Sequence, residues 1–179
     1  MRIIGGEYRS RILSDIKGDN VRPTSDRARE ALFNILGLHV RNARVLDLFA
    51  GSGALGLESL SRGAREATFN DVSKDSVAIV KKNIASLNAG ERAKVFQLDY
   101  TAFLNTTVAP FDLIFIDPPY RFDFGKKALQ VIAEKGLLTE NGIAVYERDC
   151  PFTETVVGLD KYDERKYGKA YLTFFRRSV

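Results

Sequence analysis

Cysteine and histidine are nearly missing from this chain of 179 residues: Cys150 and His39 are the only examples of each. A single cysteine excludes an internal disulfide, which suits a reducing cytoplasm, the compartment expected here. One Cys and one His also exclude a Cys/His zinc site within the chain, so no metal is expected. No stretch approaches the ~18 consecutive apolar residues of a membrane span. The opening Met1-Arg2-Ile3-Ile4-Gly5-Gly6 is too short an apolar run for a signal peptide, so no membrane partner is expected. Repeats and low-complexity tracts are absent as well. What remains is ordinary for one globular domain, with 45% hydrophobic residues and enough length to bury about 70% of the surface an unfolded chain exposes.

The net charge of +4 is unevenly spread. Residues 1–41 hold eight Lys/Arg against five acids, and residues 161–179 hold six against two, so the middle carries about −3. Basic ends around an acidic middle fit a polyanionic partner; they fit a solvated surface equally well.

From Arg44 onward short apolar runs alternate with helical stretches. Strands are predicted at 44–49, 67–71, 94–98, 112–116 and 143–147, each rich in Val, Ile, Leu or Phe and ending near Gly, Asp or Pro. Helices are predicted at 54–62, 74–87, 100–104 and 126–134; in the second, Val77, Val80, Ile84 and Leu87 form one apolar stripe. This alternation predicts a parallel sheet covered on both faces. The tail departs from it. Residues 160–166 and 170–175 flank Tyr167-Gly168-Lys169, a hairpin signal.

The first forty residues differ again. Ile3–Gly6 and Arg9–Leu13 predict a small hairpin with Arg9 and Arg11 on its solvent face. A helix follows Arg22-Pro23-Thr24-Ser25, capped by Thr24 or Ser25, with Ala28, Ala31, Leu32, Ile35 and Leu36 as its buried stripe and Gly37 as its end. Residues 1–41 therefore read as a basic extension packed on a main domain spanning 42–179.

Val45 to Gly56 is a strand, a glycine turn and a helix start. Gly51, Gly53 and Gly56 satisfy G-x-G-x-x-G, and Asp71 ends the next strand twenty residues after Gly51. The pattern fits a dinucleotide, yet the same glycines and the same acid serve other nucleosides. Asp47, in the strand just before the turn, is a poor neighbour for a pyrophosphate and a good one for a cation. A sulfonium cofactor with an amino-acid tail suits it, and Asp99, after the third strand, is placed to accept from an adenine amine.

Behind the apolar run Phe111–Ile116 stands Asp117-Pro118-Pro119-Tyr120. A buried strand delivers these residues to the sheet end where parallel α/β proteins keep their ligands. Prolines donate no N–H, so the carbonyls before them stay available to a ligand. Carboxylate, carbonyl and ring together suit a planar group carrying an exocyclic NH₂, which is a nucleobase.

These motifs resemble the successive motifs of Rossmann-like S-adenosylmethionine-dependent methyltransferases acting on exocyclic amines. Met1–Arg11, Arg22–Arg27 and Glu30-Ala31-Leu32-Phe33-Asn34 narrow the likeness. So do Gly53–Glu58, Ser61-Arg62-Gly63-Ala64 and Tyr167-Gly168. Together they resemble the RsmD family, the bacterial 16S rRNA (guanine(966)-N(2))-methyltransferases. The resemblance implies an α/β class I methyltransferase fold, with a mostly parallel seven-stranded sheet, a C-terminal antiparallel hairpin and a small N-terminal hairpin-helix extension. It implies S-adenosylmethionine held by Asp47, Gly51, Ser52, Gly53, Asp71, Val72, Asp99 and Tyr100. Asp117 and the Pro118 carbonyl would accept the two hydrogens of a guanine N2 amine, and Tyr120 would stack on the base. Phe122 and Phe124 wall the base pocket or pack the core. Arg2, Arg9, Arg11, Arg22 and Arg27 would hold RNA, the partner being 16S ribosomal RNA within a small-subunit particle and the enzyme a monomer. Two features depart from the family: Asn70 stands where an apolar residue is usual, and Cys150–Leu159 matches no motif.

Other readings share some of this evidence. An adenine-N6 methyltransferase on DNA or RNA shares Asp117–Tyr120, although the chain leaves no room for a separate DNA-recognition domain. A nicotinamide dehydrogenase would share the glycine pattern. A non-catalytic RNA-binding module would keep only a relic pocket.

Overall fold

The computed structural model describes residues 1–16, 24–119 and 123–179. Strands β1 (Arg44–Asp47), β2 (Glu66–Asn70), β3 (Ala93–Phe96), β4 (Phe111–Ile116), β5 (Leu138–Arg148), β6 (Leu159–Tyr167) and β7 (Ala170–Arg177) form one sheet, ordered β3-β2-β1-β4-β5-β7-β6. The first five pair in parallel, while β7 runs antiparallel to β5 and β6 antiparallel to β7. The chain winds outward from β1 to β3, then crosses back to β4. The order therefore reverses between β1 and β4, and the crevice at their carboxyl ends is where an open α/β sheet binds its ligand.

The expected hairpin closes the sheet. Tyr167 pairs with Ala170 around Gly168-Lys169, and Gly168 has φ of 60° at the first central position, where a II′ turn needs glycine. β5 starts earlier than the predicted 143. Its polar opening Thr139-Glu140-Asn141-Gly142 hides it from an apolar scan, yet the Thr139 hydroxyl donates to Asp112 Oδ1 at 3.0 Å and Leu138 pairs with Phe111.

Among the described residues five α-helices cover the sheet: α1 (Asp26–Leu36), α2 (Ala54–Ser61), α3 (Lys74–Ser86), α4 (Tyr100–Thr106) and α5 (Phe124–Glu134). On one face Val45, Leu113, Phe115, Val145 and Phe174 pack with Leu32, Phe33 and Leu36 of α1, Leu57 and Leu60 of α2, and Val80 and Ile84 of α3. On the other, Leu46, Ile114, Ile116, Ala144 and Phe175 meet Phe103 and Leu104 of α4 and Ala128, Leu129 and Ile132 of α5. None of the described helices is long and apolar enough to cross a membrane.

α1 begins and ends as expected, with the Ser25 hydroxyl accepting from Ala28 N–H and Gly37 at φ 49°. Its buried face is rotated from the expected one: Arg29 and Phe33 lie inside and Ile35 outside. Phe33 stacks obliquely on Phe115 at 5.8 Å, a pairing worth about 0.5–1.5 kcal/mol beyond its area. Arg29 keeps its place by donating to the Arg2 carbonyl at 2.8 Å and to Asp26 at 2.6 Å.

The first residues fold back as a hairpin, with Ile3 N–H on the Arg11 carbonyl at 3.0 Å and Leu13 N–H on that of Met1 at 2.9 Å. Ile3, Tyr8 and Leu13 are buried in the first core. Glu58 of α2, fully buried, stitches the segment down. Its carboxylate accepts the N–H groups of Ile4 and Gly5, each at 2.9 Å, and the Arg62 guanidinium at 2.8 Å. The Ser61 hydroxyl accepts Tyr8 N–H at 2.8 Å.

Cys150–Leu159 is a packed connector. Phe152 and Val156 are buried, Phe152 N–H donates to Glu164 at 2.9 Å, and the Arg148 guanidinium lies over the Phe152 ring at 5.4 Å.

Candidate nucleobase and nucleoside site

β1 ends in the glycine turn. Gly51 and Gly53 take φ of 57° and 81°, conformations that only glycine adopts cheaply. A Cβ on Gly51 would meet open space, so the backbone is bare there, whereas one on Gly56 would strike the Phe69 ring at 2.3 Å. Gly51 therefore exposes the turn and Gly56 seats α2 on β2. Asp71, just past β2, accepts Gly51 N–H and Ser73 N–H, both at 2.9 Å, coupling turn and α3. Val72 beside it is 69% exposed, an apolar side chain on the open side of the site.

Asn70 explains its own departure from an apolar residue. Its amide donates to the Leu48 carbonyl at 3.3 Å and the Leu98 carbonyl at 3.0 Å and accepts Leu98 N–H at 3.3 Å. One polar side chain thus ties together the segments that follow β1 and β3. Asp99 caps α4, accepting Thr101 N–H at 2.9 Å and the Thr101 hydroxyl; these bonds hold its carboxyl below the usual carboxylate range. Tyr100 is buried between Phe49 at 5.3 Å and Phe124 at 5.2 Å, so three rings line that side of the crevice. Phe49 and Tyr100 had given no periodic signal that would pair them.

Two acids flank the switch point. Asp47 is buried and accepts Gly56 N–H at 3.0 Å. Burial, reinforced by the charge of Asp71, pushes its carboxyl up to about 7 against the pull of that N–H. Asp117 follows β4, whose Phe115 pairs with Asp47. Its carboxyl is raised well above the ordinary range by burial, then by the charges of Glu147 and Asp47. Side chains two residues apart share a face. Val45, Phe115 and Val145 belong to one core, so Asp47, Asp117 and Glu147 all project to the α1/α2 side from three neighbouring strands.

Pro118 is buried and Pro119 exposed. Tyr120, Phe122 and Arg22 lie outside the described residues. Ser52 is buried, its hydroxyl reaching Met1 Sδ at 3.9 Å. Among the described residues no His/Cys/Asp/Glu group is placed to hold a metal.

The basic residues singled out in the sequence have different neighbours. Arg2 and Arg9 are exposed, with Arg2 3.8 Å from Asp26. Arg11 is committed to the Ser86 carbonyl at 2.5 Å. Arg27 instead lines a cavity of about 470 Å³ together with Glu147, Lys166 and Lys169, residues that no sequence pattern had brought together.

Comparison with known proteins places this geometry in a family. The family model described as conserved hypothetical protein 95 matches residues 1–176. Ribosomal RNA small subunit methyltransferase D of Escherichia coli (strain K12) is 38% identical over 149 residues, covering 83% of this chain and 75% of that protein. The solved structure of YhhF from Escherichia coli superposes with a TM-score of 0.89 at 35% identity, over 99% of this chain and 97% of that one. At the level of fold alone, SAH-bound Podospora anserina methyltransferase PaMTH1 matches with a TM-score of 0.69 at 18% identity, over 87% of this chain and 80% of that one. The architecture is thus the Rossmann-like methyltransferase fold, and the chain belongs to the conserved hypothetical protein 95 family, which is the RsmD family.

Proposed function

We propose that this protein transfers a methyl group from S-adenosylmethionine to the N2 amine of a guanine in small-subunit ribosomal RNA. One observation carries the reading: the buried Asp47 and the half-buried Asp117 flank the switch point on the same face, beside the bare glycine turn. The name of the Escherichia coli relative and the SAH bound by the fold neighbour support the substrate class and the donor.

The residues fit that donor. A buried carboxyl held up to about 7 is relieved by a cation, and Asp47 would supply the negative charge opposite a sulfonium. Gly51, bare of side chain, lets a ligand approach the backbone, while Ser52 and Gly53 shape the turn. Asp71 would turn to ribose hydroxyls, Val72 and Tyr100 would flank the adenine, and Asp99 would accept from its amine. When bound, S-adenosylmethionine supplies an electrophilic methyl group.

The guanine amine is a weak nucleophile because its lone pair is delocalised into the ring. Asp117 and the Pro118 carbonyl would accept its two hydrogens, drawing nitrogen toward tetrahedral geometry and aiming the lone pair at the methyl. Such alignment supplies roughly 7–11 kcal/mol of the barrier reduction. With its raised proton affinity, Asp117 is suited to take the proton that the methylated amine releases. Tyr120 would stack on the base for ~1–3 kcal/mol. The base must leave its stack to reach this crevice. Residues 1–41 would act as the basic extension that holds the RNA backbone, through Arg2, Arg9, Arg22 and Arg27, on a domain formed by residues 42–179. The same reading has the protein working as a cytoplasmic monomer on a small-subunit particle.

The test is methyl transfer from isotopically labelled S-adenosylmethionine to small-subunit particles, to free ribosomal RNA and to DNA, all from cells lacking this gene. Label recovered as N2-methylguanosine at one nucleotide is expected. Label in N6-methyladenosine or in DNA, or no transfer to any substrate, overturns the proposal.

A further inference from the structure

We propose that Glu147 reads the N1–H of the target guanine, and that the cavity beside it receives the target nucleotide. The inference rests on the function proposed above and deepens it, because it makes the choice of guanine over adenine a property of named residues.

Position comes first. β4 and β5 pair in parallel through Phe115–Val145 and Ile116–Tyr146. One residue further on, Asp117 and Glu147 stand beside each other on strands about 4.8 Å apart, facing the same side. The Coulombic effect of Glu147 on Asp117 agrees with that proximity. Glu147 is 5% exposed, and its Oε2 accepts the Thr24 hydroxyl at 2.6 Å, which fixes the carboxylate's orientation.

The cavity supplies the second argument. Its volume is about 470 Å³, and Glu147, Thr24, Arg27, Lys166, Tyr167 and Lys169 line it. Buried Glu147 forms the floor, and the exposed cations Arg27, Lys166 and Lys169 stand around the rim. An acceptor below and cations above match a nucleotide entering base first, with its phosphates left at the rim. The half-buried Tyr167 ring offers an apolar wall.

The chemistry of the base decides what such a floor selects. Guanine's Watson–Crick edge presents N1–H and the N2 amine as adjacent parallel donors. Two acceptors side by side, Asp117 for the amine and Glu147 for N1–H, match that pair. Adenine presents its amine next to a bare N1 lone pair, which would face the Glu147 carboxylate with no proton between them. Two electron-rich groups facing each other repel, so a floor of this kind disfavours the wrong edge.

Glu147 is therefore a specificity residue, and its test needs a base that keeps the N2 amine but lacks N1–H. 2-Aminopurine meets both conditions. Small-subunit RNA is ligated to carry guanine or 2-aminopurine at the nucleotide the wild type methylates, then assembled into particles. The wild type should prefer guanine roughly ten- to hundredfold in kcat/KM. Glu147→Gln keeps the shape and the acceptor for Thr24 but adds an N–H donor, so it should lose activity on guanine and bring the ratio near unity. Lys166→Ala combined with Lys169→Ala should raise KM severalfold and flatten its salt dependence while leaving that ratio unchanged. Equal ratios in wild type and Glu147→Gln overturn the inference, as does a wild type that treats both bases alike. That second outcome is readable even if the variant fails to fold. Absence of wild-type transfer to guanine would instead bring down the function on which the inference depends.

Discussion

Asn83 of α3 donates its side-chain amide to the Ser52 carbonyl of the glycine turn at 2.9 Å, across 31 positions of chain. The same nitrogen donates to the Ser14 carbonyl at 2.9 Å, and its oxygen accepts Ser14 N–H at 2.7 Å. One buried amide therefore sets the turn and anchors the end of the N-terminal hairpin. Asn83→Ala strips partners from several largely buried backbone groups. Urea unfolding should show a loss of about 2–4 kcal/mol, since each buried group left unsatisfied costs roughly 1–3. Calorimetric titration should show weakened S-adenosylmethionine binding as well. Asn83→Asp, which keeps the acceptor and loses the donor, should fall between. Unchanged stability in the alanine variant would show that the turn holds itself.

Glu58 gives a parallel expectation for the extension. Its carboxylate takes two backbone N–H groups of residues 4 and 5 besides Arg62. Glu58→Ala leaves those donors without their acceptor and should cost about 2–4 kcal/mol. The hairpin should loosen before the sheet does. Limited trypsin digestion should accordingly cut faster after Arg9 and Arg11 in the variant, while the remaining core resists. Equal cutting rates would mean that Ile3, Tyr8 and Leu13, buried in the core, hold the segment without help.

The sheet was legible because five strands are apolar runs punctuated by Gly, Asp or Pro, and the closing hairpin because Gly168 marks its turn. Asp47, Asp71, Asp99 and Asp117 were legible as acids at successive strand ends. The beginning of β5 was hidden, since Thr139–Gly142 is polar and is held by Asp112, a partner 27 positions away. The face of α1 was misjudged for a related reason. Periodicity counts apolar residues, whereas Arg29 is buried through bonds to a carbonyl and an acid that no pattern foresees. Glu147 and its cavity were equally unreadable, because Thr24 and Glu147 meet across 123 positions. Long-range polar contacts carry no sequence period, and they are what completes this site.

The two outer glycines of the motif should fail differently. Gly56→Ala drives a methyl into the Phe69 ring and should cost about 1–3 kcal/mol of stability by overpacking, with little direct effect on a ligand. Gly51→Ala meets no atom, so its cost is the strain of φ 57°, on the order of 1 kcal/mol. Its methyl, however, stands where the cofactor would approach. Thermal unfolding should therefore rank Gly56→Ala as the less stable variant, and S-adenosylmethionine titration should rank Gly51→Ala as the weaker binder. The reverse ranking would place the cofactor elsewhere.

Asp47 links pH to both stability and binding. Its carboxyl moves from an ordinary 3.8 to about 7 because burial penalises the charge. Below 3.8 the group is protonated in folded and unfolded chains alike, and its contribution to stability is fully present. Between 3.8 and 7 the folded state keeps a proton that the unfolded state has lost, so stability falls as pH rises and levels off above 7. At about 1.4 kcal/mol per unit the loss approaches ~4 kcal/mol at most. Asp47→Asn removes this dependence while keeping an acceptor for Gly56 N–H. Its advantage over the wild type should therefore grow from pH 5 to pH 8 in urea unfolding, the difference between the two proteins cancelling the pH response of groups that the Asp47 charge does not reach; Asp117, which that charge helps to raise, changes in the same direction. Binding reverses the sign. A cationic sulfonium favours the ionised carboxylate, so wild-type affinity should weaken up to about tenfold for each unit below pH 7. Calorimetry at pH 6 in buffers of different ionisation heat should register a released proton in the wild type and none in Asp47→Asn. A wild type that releases no proton there would mean that Asp47 does not face the cofactor.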